Sequence, residues 1–358
     1  MRVLFVTAVF ENEATGAARF ARLVHKYGKD SFTILTEDSE GGEGIILLDI
    51  SPKWYQRKLW QYFRIKTYRD RIKSMESDYD VFLFNNTLLA DGFHTSKPVY
   101  VCIHDDKLVY PKPAFKFDYV RRLILGKIER RVLESGKFII ANSKFISKKF
   151  SEHFDIKDED LLTMYQGIEL NDDADFQDTL DDQVVIKVLF VKNDYRRGGL
   201  IDLYNALMLL NDYQFELHIV GPSDLDSQNF SHAENIESNI HGPISNERVL
   251  KLMQDCNLFC LPTKAEPLGV SVMEALAMGL PTVTTGVGGL PEVTDNGNLV
   301  WECAPGNKKS IATQIAACIN NRQKRLEKSK AREQSITDNF AFEKVFHRLN
   351  DIVNSKRK

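Results

Sequence analysis

A chain that alternates short apolar runs with helical stretches, breaks off, and then begins the same alternation again has few folds open to it. Val3-Leu4-Phe5-Val6-Thr7 opens the sequence as a β-rich run of the kind buried in a parallel sheet. A polar loop ending in Thr15-Gly16 leads into the helical pattern Ala17–Val24. Further strand-like runs follow at Phe32–Leu35, Val81–Phe84, Val99–Ile103 and Phe138–Ala141, separated by helical stretches. Strands alternating with helices predict an α/β domain with a mostly parallel sheet. Residues 171–183 are acidic and poor in core formers, which reads as a connection between domains. The alternation restarts with strands at Val184–Val191, Phe215–Val220, Leu258–Leu261 and Thr282–Thr284 and helices at 199–210, 245–255 and 270–278. From about residue 322 the chain is helical and charged, with an apolar stripe of Phe340, Phe342, Val345, Phe346, Leu349 and Val353.

A length of 358 residues suits two domains, each able to bury a core without disulfides or metal. The five cysteines share no ligand spacing, and most sit in apolar surroundings, so they read as reduced core thiols. The apolar stretch Val3–Phe10 after Arg2, interrupted by Thr7, is too short for a secretory core, and no run approaches the ~20 apolar residues that span a bilayer. A cytoplasmic protein is expected.

The stretch Pro262–Val283 carries the most chemistry. A strand ends at Leu261-Pro262, a loop carries Glu266-Pro267-Leu268-Gly269, and a helix starts near Val270 with Glu274 about one turn in. Two carboxylates therefore flank one helix N-terminus, where free N–H groups and the macrodipole can hold a phosphate. Gly269 lets backbone approach it. Carboxylates beside an anion site make sense if they grip hydroxyls of the same ligand, and a nucleoside diphosphate sugar supplies both kinds of group. Taken alone, the two glutamates would read as incidental on a capped surface helix.

The whole string, from Glu266 through Glu274 to Val283, resembles the signature of family 4 glycosyltransferases. The resemblance continues through Gly288-Gly289-Leu290-Pro291-Glu292-Val293 and upstream to His241-Gly242-Pro243-Ile244 and Ile219-Val220-Gly221. In the N-terminal half it covers the Thr15-Gly16 loop, His104-Asp105, Ala141-Asn142-Ser143-Lys144 and Gln166-Gly167-Ile168-Glu169. It implies the GT-B fold: two Rossmann-like domains facing a cleft, with the C-terminal helix packing back on the first. The expected boundaries are 1–168 for an acceptor domain, 184–335 for a nucleotide-sugar domain and 336–358 for the returning helix.

By this resemblance Glu274 holds ribose hydroxyls, Glu266 contacts the transferred sugar, and the amides of Leu268, Gly269 and Val270 bind the diphosphate. Gly221 and Ile244 join the donor site. His104 reaches the donor sugar, and Gly16 lets a loop approach the phosphates. Departure of a nucleoside diphosphate needs fixed cations. The candidates follow the strand Val188–Val191, in Lys192-Asn193-Asp194-Tyr195-Arg196-Arg197-Gly198. The family usually shows an arginine and a lysine here, in some members adjacent as Arg-Lys-Gly; this chain has Arg196-Arg197-Gly198, so charge is kept and geometry is not. This stretch is most similar to lipopolysaccharide core glucosyltransferases. The expected reaction retains anomeric configuration and needs no metal or other cofactor.

Neither a Gly-x-Gly-x-x-Gly after the first strand nor a Walker A sequence is present, which leaves a nicotinamide enzyme unsupported. Asp224-Leu225-Asp226 matches the metal-binding motif of one-domain glycosyltransferases without its context. Residues 53–73 hold eight basic residues against one acidic, interleaved with aromatics, and a second basic block lies at Lys112–Arg131. Such a segment suits an anionic membrane surface and a lipid-linked acceptor, or else an ordinary packed helix. No recognition motif supports nucleic acid. A sugar-nucleotide 2-epimerase of the same fold, or a non-catalytic member of a glycosylation complex, stand as the alternatives.

Overall fold

The computed structural model describes residues 1–11, 15–50, 60–105, 116–170, 180 and 184–355. These form two compact units, Met1–Gln166 with Glu343–Lys358, and Gly167–Phe342.

The first unit holds a seven-stranded parallel sheet of β1 (Val3–Val6), β2 (Phe32–Thr36), β3 (Ile45–Leu47), β4 (Val81–Phe84), β5 (Val99–Ile103), β6 (Phe138–Ala141) and β7 (Leu161–Thr163). Their order across the sheet is β3-β2-β1-β4-β5-β6-β7. The central strands β1 and β4 are buried at every residue, as strands covered on both faces must be. The edges β3 and β7 are mostly apolar but only three residues long and partly solvated, too short to stand out as strands in the sequence.

The second unit holds a six-stranded parallel sheet of β8 (Val185–Val191), β9 (Gln214–Val220), β10 (Ile236–Gly242), β11 (Leu258–Leu261), β12 (Thr282–Thr285) and β13 (Trp301–Cys303). Its order is β10-β9-β8-β11-β12-β13. Here too the unpredicted strands, β10 and β13, are the edges. In each sheet the winding reverses once, between β1 and β4 and between β8 and β11. Open α/β sheets bind ligands at the carboxyl ends of strands beside such a reversal, because the loops there part in opposite directions.

The helical stretch from 322 divides at Ala341 into Arg322–Phe340 and Phe342–Ser355. The second of these helices packs within the first unit from Glu343 onward. Its predicted stripe is buried: Val345, Phe346, Leu349 and Val353 are at most 8% exposed. The Phe346 ring lies 5.6 Å from that of Phe32, and Tyr100 Oη donates to the Ile352 carbonyl at 3.0 Å.

Of the basic segment 53–73, residues 53–59 lie outside the described residues, and the rest is the helix Trp60–Ser74. Ile65, Tyr68 and Ile72 turn into the domain core, and Tyr68 Oη donates to the Thr7 carbonyl at 3.0 Å. Several of its cations are already paired: Arg64 with Glu37, Lys66 with Asp70 at 2.8 Å, and Lys73 with Glu76 at 2.9 Å. The described part therefore has the packing of a domain helix. In the acidic stretch 171–183 only Leu180 is described, and it is buried. No helix of the described residues is long and apolar enough to cross a membrane. All five cysteines are buried thiols.

Candidate functional site

In the second unit the site grows from the loop between β11 and the helix Val270–Ala277. The loop is clamped from two sides. On one side, the Lys264 N–H donates to the Arg197 carbonyl at 2.8 Å, and Arg197 Nε donates to the Ala265 carbonyl at 2.9 Å. Thr263 Oγ1 lies 3.1 Å from the Arg197 carbonyl and 3.0 Å from that of Ala265, sharing its one hydrogen. On the other side the Gly289 N–H donates to the Glu266 carbonyl at 2.9 Å. Gly288 there has φ +65°, and a Cβ on it would stand 1.9 Å from the Glu266 carbonyl oxygen. Only glycine lets these two backbones meet.

The clamp holds Glu266 at 8% exposure, where its carboxylate pairs with Lys192 Nζ. Glu274, the fifth residue of the helix, is 4% exposed. Leu268 is buried, and Gly269 takes the left-handed conformation (φ +97°) that turns the chain into the helix. No side chain caps this helix, so its first-turn N–H groups, Val270 among them, remain available to an anion. Gly221 follows β9 against the Lys192 backbone, and its N–H donates to the Gly242 carbonyl at 2.9 Å. Ile244, two residues further on, is half-buried just before the helix Asn246–Asp255.

The two arginines differ. Arg197 is tied to the Glu266 loop. Arg196 is exposed, its guanidinium over the Tyr195 ring at 5.5 Å. Asp226, from the Asp-x-Asp, accepts from the Gln228 N–H at 3.0 Å and so serves as a local cap. Among the described residues no group of three or more His, Cys, Asp or Glu side chains could hold a metal ion.

In the first unit the carboxyl ends of β1, β4 and β5 meet at the Gly16 turn. Thr15 caps the helix Gly16–Tyr27, its side chain accepting from the Ala18 N–H at 3.2 Å. Asn85, just past β4 and 4% exposed, donates through Nδ2 to the Ala17 carbonyl at 2.9 Å and to Thr7 Oγ1 at 3.2 Å. Its Oδ1 lies 2.5 Å from His104 Nε2. Gln166 Nε2 donates to the Gly16 carbonyl, and Asn142 Nδ2 to the His104 carbonyl at 3.1 Å. Burial pushes the His104 imidazole down to about 4, while the Asp105 charge and the Gln166 side chain act the other way. The ring is neutral at pH 7.

The structure thus gathers Glu266, Leu268, Gly269, Val270, Glu274, Gly221 and Arg197 in one unit, and Gly16 with His104 in the other. Sequence reasoning missed Asn85 and the pairing of Lys192 with Glu266. Asn85 follows an apolar run as His104 does, and that was its one available signal.

Residues 171–335 match the family model of glycosyl transferases group 1. Over 99% of this chain and 100% of that one, the structure superposes on Anabaena Alr3699/HepE in complex with UDP-glucose, with a TM-score of 0.74 and 16% identity. WaaG, a glycosyltransferase involved in lipopolysaccharide biosynthesis, superposes with a TM-score of 0.75 at 15% identity, over 98% of this chain and 99% of that one. The fold is that of the GT-B glycosyltransferases. In sequence, 104 residues are 29% identical to a glycogen synthase of Mycobacterium tuberculosis, covering 29% of this chain and 25% of that protein. The chain spans about a quarter of the length of such curated relatives. On the GT-B fold, function is argued from the site rather than from the architecture.

Proposed function

We propose that this chain is a metal-independent, retaining glycosyltransferase of family 4, moving a sugar from a nucleoside diphosphate sugar to a hydroxyl of a saccharide or lipid-linked acceptor. One observation carries the reading: an uncapped helix N-terminus with two buried glutamates beside it and Arg197 and Lys192 at its loop. The first-turn N–H groups bind the diphosphate, Glu274 the ribose hydroxyls and Glu266 the hydroxyls of the transferred sugar. In the first unit His104 takes a sugar hydroxyl, and Gly16 allows backbone close to phosphate. The bond from the anomeric carbon to the phosphate oxygen breaks as the bond to the acceptor oxygen forms on the same face. The acceptor proton passes to the leaving phosphate. Arg197 and Lys192 offset the charge that develops there. The likeness to a UDP-glucose complex and to a lipopolysaccharide glycosyltransferase supports this class of donor and a role in cell-surface saccharide synthesis.

A thermal-shift screen over uridine, guanosine and adenosine diphosphate sugars tests the reading. A bound donor at a hundred times its Kd stabilises the fold by about 2.7 kcal/mol. Transfer is then followed with saccharide acceptors. An epimerase would change the sugar without an acceptor, and a non-catalytic chain would do neither. If no nucleoside diphosphate sugar shifts the melting temperature, the proposal fails.

Glu274→Ala removes hydrogen bonds to a charged acceptor, a loss of about 2 kcal/mol. The ribose keeps these contacts in ground and transition states alike, so KM rises roughly 30-fold while kcat changes little. An unchanged KM with abolished turnover would assign Glu274 elsewhere.

Peripheral attachment at the inner face of the cell membrane through residues 53–73 belongs to the same reading. Each basic residue near an anionic surface contributes roughly 1 kcal/mol. Wild-type protein should co-sediment with anionic liposomes at low salt and release as salt rises. Protein that stays in the supernatant at low salt would leave the segment as a domain helix alone.

A further inference from the structure

We propose that Asn85 is a positioning residue for His104: its side-chain amide fixes the ring as the tautomer protonated on Nε2 and ties it to the Gly16 turn. The argument is one of elimination. A backbone carbonyl can only accept, so the atom of Asn85 facing the Ala17 carbonyl at 2.9 Å must be the donor Nδ2. That leaves Oδ1 facing His104 Nε2 at 2.5 Å. An amide oxygen also can only accept, so Nε2 carries the proton. Nδ1 remains as the ring's sole acceptor. A histidine held in this way neither donates a proton from Nδ1 nor rotates freely.

The same amide sets what moves together. Asn85 bonds Thr7 at the end of β1, Ala17 in the first turn of the helix Gly16–Tyr27, and His104 at the end of β5. Gln166 closes the ring of contacts through the Gly16 carbonyl. The Phe20 ring, from the same helix, lies 5.5 Å from the imidazole. The turn assigned to phosphate and the histidine assigned to sugar therefore shift as one body. Nearby charge comes from Asp105, which follows His104 in the chain and favours the imidazolium, while burial opposes it. Because the folded ring protonates near 4 and the unfolded one near 6.5, the fold loses stability as pH falls from about 6.5 toward 4. Above 6.5 the ring is neutral in both states and contributes no pH dependence.

The consequence for rate rests on the glycosyltransferase reading, whereas the tautomer does not, and the experiment separates them. The full chain is labelled with 15N-histidine, and the His104 signals are assigned by difference against His104→Gln. Wild type should show the Nε2–H tautomer and only slight protonation at pH 5. Asn85→Asp places a carboxylate on Nε2 and should move the titration upward by two pH units or more. Asn85→Leu should yield a mixture of tautomers and, with a donor and acceptor in hand, lower kcat about tenfold with little change in KM. A wild-type ring protonated on Nδ1, or an Asn85→Leu ring still wholly protonated on Nε2, would overturn the proposal. Should Asn85→Leu fail to fold, the wild-type tautomer and the Asn85→Asp titration decide it. If the tautomer is as stated and no sugar is transferred by wild type, the catalytic reading falls and the positioning of His104 stands.

Discussion

Arg197→Ala is expected to lower kcat by roughly two to three orders of magnitude, the loss typical when a preorganised group facing developing charge is removed. The leaving diphosphate gains charge as its bond to the sugar breaks, so a cation fixed nearby stabilises the transition state more than the bound donor. Arg197 is fixed by its bond to the Ala265 carbonyl, one residue before Glu266, so little reorganisation is needed when the charge appears. The change should therefore fall on kcat more than on KM, the reverse of Glu274→Ala. Arg197→Lys keeps the charge and forfeits the hold on Ala265, a loss of about 1 kcal/mol or roughly fivefold in rate. Arg196→Ala, at an exposed position, should change little. Steady-state kinetics on folded variants check all three. Turnover unaffected by Arg197→Ala would remove this residue from the leaving-group role.

The second large effect is expected from one methyl group. Gly288→Ala sets a Cβ against the Glu266 carbonyl oxygen, where 1.9 Å is available, at a backbone φ of +65°. The left-handed conformation costs an alanine about 1–2 kcal/mol, and relieving the clash by moving backbone adds about 1–3 kcal/mol. A total near 3 kcal/mol lowers the melting temperature of a domain of this size by roughly 6–12 °C. The displaced element is the loop carrying Glu266, so donor-induced stabilisation should shrink as well. Gly126→Ala, in the helix Lys116–Leu133 with nothing within 4 Å of the new Cβ, is the control and should be neutral or slightly stabilising. Calorimetry with and without a nucleoside diphosphate sugar reads both effects. Equal melting temperatures for Gly288→Ala and wild type would mean the clamp on Glu266 is looser than its geometry.

How far the sequence could be read depended on whether a feature is local. Strands buried on both faces announce themselves as continuous apolar runs, and Val3–Val6, Val81–Phe84 and Leu258–Leu261 are strands for that reason. The edge strands Ile45–Leu47, Leu161–Thr163 and Ile236–Gly242 pair on one side and are partly solvated; the first two are only three residues long and the third is mostly polar, so none gives a long apolar run. The Glu266–Glu274 spacing across one helix start is likewise local, and so is the stripe from Phe340 to Val353. The basic segment shows the limit. Its charges suggested a surface for an outside partner, yet Arg64 pairs with Glu37 of the same unit, a partner 27 residues away that no local pattern names.

The amino-acid sequence by itself therefore determined two α/β units, their central strands, and a helix N-terminus flanked by carboxylates, because hydrophobic period and loop chemistry act over a few residues. The tertiary structure alone decided which groups those carboxylates and the histidine meet. Lys192 reaches Glu266 across 74 residues because β8 and β11 are neighbours at the reversal of their sheet. Asn85 meets Thr7 across 78 residues for the same reason at β1 and β4. Strand order sets those neighbours, and it follows from the packing of the whole sheet rather than from any window of sequence.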